Sequence, residues 1–155
     1  GRVGRTVARM LEAERIPYVA LDLDVDLVAA ERREGRPVYY GDASRREMLE
    51  RLGASAARAF VVTTDEPAAS ERMVTAIRRA WPGAVIHARA KDGAHARRLM
   101  AIGVADAVPE TLEGSLQLAG QVLSGIGLPD EAVDARLDVA RSAEVSRLAA
   151  APKER

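Results

Sequence analysis

The chain opens with GRVGRTVARMLEAERIPYVALDLD (residues 1–24), in which two glycines, a helical stretch and an apolar strand ending in carboxylates succeed one another. Gly1 and Gly4 match the second and third glycines of a Gly-x-Gly-x-x-Gly loop, with Arg2 and Val3 between them. In such a loop the next helix presents free N–H groups to a pyrophosphate. Two glycines at this spacing are equally typical of an ordinary helix start, so the assignment depends on the strand after the helix.

Two carboxylates lie where a dinucleotide-binding fold places its ribose-binding acid. Asp22 and Asp24 come 18 and 20 positions after Gly4, at the end of the apolar run. A carboxylate there accepts hydrogen bonds from both ribose hydroxyls of an adenosine. Asp22 is the first candidate and Asp24 the second, for which a helix-capping role is an equally good interpretation. Because the negative charge repels a 2′-phosphate, we expect NAD(H) or another adenosine nucleotide rather than NADP(H).

The rest of the chain alternates short apolar runs with helix-patterned segments, which is typical of a parallel sheet with crossover helices. Strands are predicted at Tyr18–Leu23, Pro37–Tyr40, Ala59–Thr63, Val85–Ala90 and Ala107–Val108. Helices are predicted at Gly4–Glu14, Asp26–Glu34, Arg45–Leu52, Ala68–Ala80, Ala94–Ile102 and Leu112–Ser124. The fold class is therefore α/β. Because no strand precedes Gly1 in this sequence, we expect the first strand of the fold to be missing from it.

The charge balance and the cysteine and histidine content limit the kinds of ligand that the chain can bind. The 155 residues include 23 basic and 23 acidic side chains, so the chain has no net charge with which to hold a nucleic acid or an anionic membrane. It has no cysteine and only two histidines, His87 and His95, which excludes a thiolate nucleophile or a Cys-ligated zinc and leaves little for a histidine-based metal site. The apolar runs are too short to cross a bilayer, so we expect a soluble chain with one core.

Further polar residues come after the predicted strands at what would be one edge of a parallel sheet, where open α/β sheets bind ligands. These candidates are Asp42 and Ala43 for an adenine, Thr63, Thr64 and Asp65 for the central loop, and Arg89 for a phosphate. Taken singly, a helix cap explains Asp42 and a surface salt bridge explains Arg89.

No catalytic group is predicted. The sequence contains no nucleophile elbow, no Tyr-x-x-x-Lys pair and no histidine with an acidic partner placed for hydride transfer. His87 and His95 are interpreted as structural. These residues favour binding over catalysis.

The ordered motifs resemble one family. They are GRVGR (1–5), LDLD (21–24), YGDAS (40–44), VTTD (62–65), HARAKD (87–92) and VPETLE (108–113). Over residues 1–130 the chain resembles the regulator-of-potassium-conductance (RCK) or TrkA N-terminal domain, as carried at the C-terminus of Kef-type cation:proton antiporters. The resemblance implies a Rossmann-like doubly wound sheet of strand order 3-2-1-4-5-6.

The resemblance also implies a function. It implies a regulatory domain at the cytoplasmic face of the inner membrane, beneath a transport domain, with NAD(H) or AMP as a ligand that is not consumed. It assigns Gly1, Arg2, Val3 and Gly4 to the phosphate loop, Asp22 to the ribose, Asp42 and Ala43 to the adenine, Thr63–Asp65 to the central loop, and Arg89 to a phosphate or an interface. Pro109 stands where glutathione-gated members carry arginine, which argues against glutathione gating. Two alternatives are a channel or Trk-type ring domain and a small NAD-dependent oxidoreductase.

The C-terminal part is expected to mediate pairing. We assign residues 1–128 to the nucleotide-binding domain and residues 129–155 to a helical or partly disordered tail outside the core. Helical spacing places an apolar stripe on one face of the last core helix, with Leu118 on the opposite side. The stripe consists of Leu112, Leu116, Ala119, Val122, Leu123 and Ile126. This surplus predicts a homodimer through the C-terminal helices, the alternative being that the helix covers the sheet.

Overall fold

The computed structural model describes residues 1–150, which form alternating strands and helices. The strands are β1 (Ala20–Asp22), β2 (Val38–Tyr40), β3 (Phe60–Val62), β4 (Ile86–Ala90) and β5 (Asp106–Pro109). The helices are α1 (Arg2–Ala13), α2 (Val25–Arg33), α3 (Arg46–Arg51), α4 (Pro67–Ala80), α5 (Gly93–Ala101), α6 (Glu110–Gly125) and α7 (Asp130–Ala150), with a 3-10 turn at Ala54–Ala56. Within these 150 residues every helix is too short or too polar to span a membrane.

The strands of residues 1–150 pair in parallel. β1 pairs with β2, placing Ala20 opposite Val38, while β4 lies between β3 and β5. This arrangement confirms the Rossmann-like α/β class, and its order agrees with the expected one, in which a further strand lies between β1 and β3. Because the strands are parallel, their carboxyl ends share one edge, where the loops after the strands collect.

The core lies on one face of the three-stranded sheet. Alternate residues of β4, namely Ile86, Ala88 and Ala90, are buried against Val74 of α4 and Leu99 of α5. The opposite face of this sheet is less well covered.

That less covered face carries both apolar and charged side chains. Val61 and Val108 are 47% and 48% exposed there. His87 and Asp106 form a cross-strand pair on the same face, with 3.0 Å between Nδ1 and Oδ2. His87 therefore has a partner within the sheet itself.

An aromatic pair closes the amino-terminal end of β3. The rings of Phe60 and Trp81 stack with centroids 5.5 Å apart, and Trp81 Nε1 donates to the Ser55 hydroxyl at 3.3 Å. Both rings pack against the core cluster. Through this stacking, the turn after α4 packs against the start of β3.

Helices α6 and α7 form an antiparallel hairpin. Gly127 adopts φ +102° in the connection, a conformation that L side chains rarely adopt. Gly120 allows a close approach, since a Cβ there would lie 3.0 Å from a methyl of Leu137. Leu116 and Val133 are buried. Covering the sheet is therefore not the main role of α6, because this helix packs chiefly on α7.

The α6 stripe is only partly covered within the chain. Leu116 is buried and both Leu112 and Leu123 are half-buried, whereas Ala119, Val122 and Ile126 are exposed, as is Leu118. Part of the apolar surface of α6 therefore packs within the chain, and part is left exposed.

The C-terminal segment is not a tail outside the core. Leu148, near the end of α7, belongs to the main core cluster and packs on α5, lying 3.4 Å from where a Cβ of Gly93 would be. Arg141 Nε also donates to Glu113 Oε1 of α6 at 3.0 Å, and this bond raises the pKa of Arg141. Residues 151–155 of the expected tail lie outside the described residues. The division at residue 128 stays a prediction.

Candidate functional site at the carboxyl edge of the sheet

The N-terminus of α1 is open to an anion. Gly1 is its N-cap and provides no side-chain acceptor, and the first turn of α1 contains no acidic residue. The first intrahelical bond runs from Arg5 N to Gly1 O at 3.1 Å, so the N–H groups of Arg2, Val3 and Gly4 have no partner within the helix. Positive partial charge from the helix adds to the exposed Arg2 side chain.

This N-terminus lies between two strand ends. The nitrogen of Gly1 is 3.6 Å from Asp22 Oδ2, at the end of β1. A Cβ on Gly4 would lie 3.0 Å from the Thr63 hydroxyl oxygen, directly after β3. Gly4 thus permits an approach that a larger residue would obstruct. The structure brings the predicted loop, Asp22 and Thr63 together.

Asp22 and Asp24 have different local roles. Asp24 Oδ1 accepts hydrogen bonds from Asp26 N and Leu27 N, both at 3.0 Å, and thereby caps α2. Asp22 Oδ1 accepts from Asp24 N at 2.9 Å, while its Oδ2 faces Gly1. The capping interpretation describes Asp24, and Asp22 is the carboxylate that faces the loop.

The Gly41–Ser44 loop is fixed to the same edge. Gly41 N donates to the main-chain oxygen of Asp22 at 3.1 Å, which joins this loop to β1. Asp42 Oδ1 accepts from the Ser44 hydroxyl at 2.7 Å and from Ser44 N at 2.8 Å, and these bonds hold the pKa of Asp42 below its usual value. Ala43 is half-buried and packs against the core. Asp42 is therefore ionised and is held in place by Ser44.

The loop after β3 contributes a wall rather than a second anion site. Thr63 and Thr64 are half-buried and Asp65 is exposed. The next helix, α4, already has its first N–H groups satisfied, because the Glu66 side chain accepts from Ala68 N at 3.0 Å and from Ala69 N at 2.6 Å. An acidic cap at this position disfavours a phosphate on α4.

Arg89 has a partner that sequence reasoning missed. Its Nε lies 3.1 Å from Glu110 Oε2, and its Nη1 lies 3.5 Å from the main-chain oxygen of Thr63. The Arg89 side chain is 20% exposed. The signal in the sequence is positional, since Glu110 comes directly after β5, the strand beside β4, at the same edge. Arg89 therefore forms a salt bridge, with Glu110, as its structural interpretation predicted. It also borders the central loop at Thr63.

An open groove lies elsewhere among residues 1–150. Its volume is about 550 Å³, and it opens at the amino-terminal edge of β1 and β2, where Glu12, Arg15, Tyr18 and Arg36 line it. Burial, and then the hydrogen bond to Glu12, raise the pKa of Tyr18 to about 12. Because no predicted site residue borders this groove, the carboxyl edge remains the candidate site.

Comparisons with known proteins show the family of the chain. The TrkA-N domain family matches residues 1–110. The chain is 41% identical over 149 residues to K(+) efflux antiporter 2, chloroplastic, from Arabidopsis thaliana, a match that covers 96% of the chain but 13% of that protein. The chain therefore spans about an eighth of this relative.

Solved structures show the same fold. The C-terminal domain of Kef from Shewanella denitrificans, in an AMP-bound form, superposes with TM-score 0.80 and 27% identity, covering 96% of this chain and 90% of that one. The GsuK channel bound to NAD superposes with TM-score 0.69 at 24% identity, covering 95% of this chain and 23% of that one, and this likeness concerns the fold alone. From residues, geometry and comparisons together, the chain belongs to the TrkA-N domain family.

Proposed function

We propose that this chain is a nucleotide-binding regulatory domain of a Kef-type potassium:proton antiporter, at the cytoplasmic face of the inner membrane. The observation that carries the proposal is the uncapped N-terminus of α1, which lies between Asp22 and Thr63. The Arabidopsis relatives support the transport context, and the AMP-bound Kef domain supports the class of ligand.

Each site residue has a role toward an adenosine nucleotide. The N–H groups of Arg2, Val3 and Gly4 bind the phosphate at the end of α1. Asp22 Oδ2 accepts from the ribose hydroxyls, and Asp42 Oδ2 accepts from the adenine amino group. AMP and NAD(H) both present these groups, and both fit the role of a regulatory ligand.

The loop and strand residues complete the wall. Ala43 leaves room for the adenine ring, Thr63, Thr64 and Asp65 border the phosphate, and Arg89 supplies a cation near Thr63. Asp24 supports Asp22 by donating its N–H and by fixing the start of α2. We infer that the nucleotide acts by binding and is not turned over, because the relatives that the chain matches are K(+) efflux antiporters.

A homodimer through the C-terminal helices gives the domain a way to act. Leu118, Val122 and Ile126 are 68%, 54% and 72% exposed along one side of α6. Val61 and Val108 lie exposed on the less covered sheet face. An isologous pair would bury both apolar surfaces, and a shift in that pairing would be relayed to the transport domain.

The regulatory ring domain of a potassium channel or of a Trk-type uptake system is the second candidate, because part of the GsuK channel has the same fold with TM-score 0.69 and 26% identity. The two candidates differ in the membrane part of the whole protein. An antiporter has about ten or more membrane-spanning helices and a channel of this class about two, each about 20 residues long. Reading the gene that encodes the whole protein decides between them.

Nucleotide titration tests the proposal. Calorimetry with AMP, NADH and NADPH is carried out on the chain, prepared with any residues that precede Gly1 in the natural protein. We expect AMP and NADH to bind, and NADPH to bind about tenfold more weakly, because its 2′-phosphate meets Asp22. Absence of binding, or tighter binding of NADPH, contradicts the proposal. Oxidation of NADH by small carbonyl compounds at about one event per second would make it an enzyme.

A further inference from the structure

The ion pair between Arg89 and Glu110 joins the candidate site to the helix proposed for pairing. Nε and Nη2 of Arg89 lie 3.1 Å and 2.5 Å from the same oxygen, Glu110 Oε2. Nη1 of the same guanidinium lies 3.5 Å from the main-chain oxygen of Thr63. One side chain thus contacts the loop beside α1 and the first residue of α6.

Movement of Glu110 necessarily involves the start of α6. Pro109 is both the last residue of β5 and the N-cap of α6, so no loop residue separates strand from helix. Pro109 provides no side-chain cap, and the Glu110 carboxylate lies in the first turn, where it offsets the helix dipole. The position of that carboxylate is fixed by Arg89.

A phosphate on α1 competes with Glu110 for Arg89. Glu110 offers the guanidinium a single oxygen, and its side chain is 52% exposed, so the pair is only partly protected from solvent. A phosphate offers two oxygens in the geometry that a guanidinium binds best. Thr63, which Arg89 already touches, also lies against Gly4 in the phosphate loop.

We propose that the Arg89–Glu110 pair is a latch on α6 that a bound nucleotide phosphate opens, an inference that rests on the proposed function. Without nucleotide the latch holds the first turn of α6. With nucleotide, Arg89 turns to the phosphate, Glu110 is released, and the helix carrying Leu118, Val122 and Ile126 is freed to shift. Occupancy of the site is thereby coupled to the pairing surface.

If the Arg89–Glu110 pair acts as a latch, removing the pair at Glu110 should increase the affinity for AMP. Because nucleotide binding must break the pair, Glu110→Gln should tighten AMP binding by about two- to fivefold, the range set by partly exposed ion pairs. Arg89→Gln should weaken AMP binding by about tenfold or more, since a charge-assisted bond to phosphate is lost. A purely structural pair predicts no gain of affinity from either change.

Two further variants sharpen the test. Glu113→Gln removes a charge from the same first turn, but Glu113 pairs with Arg141 of α7 at 3.0 Å, so AMP affinity should stay as in the wild type. Glu110→Asp keeps the charge and withdraws the carboxylate by one methylene, so it should tighten binding as Glu110→Gln does. If Glu110→Gln does not fold, the AMP affinity of Glu110→Asp still tests the proposal.

Hydrogen exchange provides a second readout besides affinity. AMP should speed amide exchange in residues 110–116 of the wild type, and Glu110→Gln should show the faster exchange before AMP is added. If the wild type binds AMP and both Glu110 variants bind it no more tightly, the latch is wrong and the nucleotide function stands. If the wild type binds neither AMP nor NADH, the latch and the proposed function both fail.

Discussion

The nitrogen of Gly1 lies 3.6 Å from Oδ2 of Asp22, so the start of the predicted phosphate loop and the predicted ribose acid are adjacent. The other oxygen of Asp22 accepts from Asp24 N at 2.9 Å, which fixes the carboxylate in that direction. This geometry distinguishes Asp22, which faces the loop, from Asp24, which caps a helix.

Asp22→Asn should weaken NADH binding by about tenfold and reduce the preference for NADH over NADPH. The amide keeps an oxygen for Asp24 N, but it loses the charge that binds a ribose diol and repels a 2′-phosphate. Calorimetric titration of both dinucleotides measures the two effects. Full NADH affinity in this variant would remove Asp22 from the site.

Asp24→Ala is the matched comparison. In the wild type, Asp24 Oδ1 accepts hydrogen bonds from Asp26 N and Leu27 N. The substitution removes this cap of α2 and should lower the free energy of unfolding by about 1 kcal/mol. Urea unfolding measures that loss. A drop in NADH affinity as large as that of Asp22→Asn would show that Asp24 also binds ligand.

Leu118→Glu should convert a dimer to a monomer. Leu118 is 68% exposed, so the charge disturbs a pairing surface without entering the core, which is why Leu118 is a cleaner choice than the buried Leu116. Light scattering at micromolar concentration gives the mass. Gln121→Glu adds the same charge to the side of α6 that faces α7 and should stay dimeric. A monomeric wild type contradicts the pairing.

Leu148→Ala should lower the free energy of unfolding by about 2 to 5 kcal/mol, the usual range for a truncated core leucine. Leu148 is 7% exposed and belongs to the core cluster. Val145→Ala, on an exposed turn of the same helix, should change it by about 0.5 kcal/mol or less. Urea unfolding monitored by circular dichroism compares them. Equal small effects would restore the view of α7 as a tail.

Alkaline pH should destabilise the chain partly through Tyr18. Burial, helped by Glu12, raises its pKa from 10.0 to about 12, so the folded state holds this proton more tightly than the unfolded state does. The stability from this group is complete below pH 10.0 and is lost as pH rises toward 12.

Tyr18→Phe removes this dependence. Between pH 10.0 and about pH 12, the variant should lose less free energy of unfolding than the wild type, as measured by urea unfolding at a series of pH values. Tyr40→Phe, at a 58% exposed position, is the control for the loss of a hydroxyl group. A steeper loss in Tyr18→Phe than in the wild type would contradict the assigned sign.

The order and class of elements could be predicted because each has its own local signal. The apolar run before Asp22 and the helix start at Gly4 are visible in the sequence, and both elements exist. The first four strands are shorter than predicted, and the ladder from β1 to β2 pairs only Ala20 to Asp22 with Val38 to Tyr40. The last strand, β5, is longer than predicted. Apolar character extends beyond the residues whose main chains pair.

Contacts between distant residues were not predictable in the same way. Glu110 lies 21 residues after Arg89, and only the pairing of β4 with β5 brings them to one edge. Leu148 reaches α5 because the α6–α7 hairpin turns at Gly127, whereas the composition of the segment indicated a polar tail. Local pattern identifies helices, but the packing partner depends on the whole fold.

The stacked pair of Trp81 and Phe60 provides an optical probe placed away from the nucleotide. Trp81 is the only tryptophan of the chain, and Phe60 begins β3 while Thr63 comes just after its end. About 10 Å of strand separates Phe60, on which the indole stacks, from Thr63. In the proposed site AMP would lie at the opposite end of β3 from the indole, and adenine does not absorb at the long-wavelength edge of indole excitation. The emission of Trp81 should therefore report unfolding while AMP is present. The ligand's contribution to stability is therefore readable from intrinsic fluorescence, with no label attached.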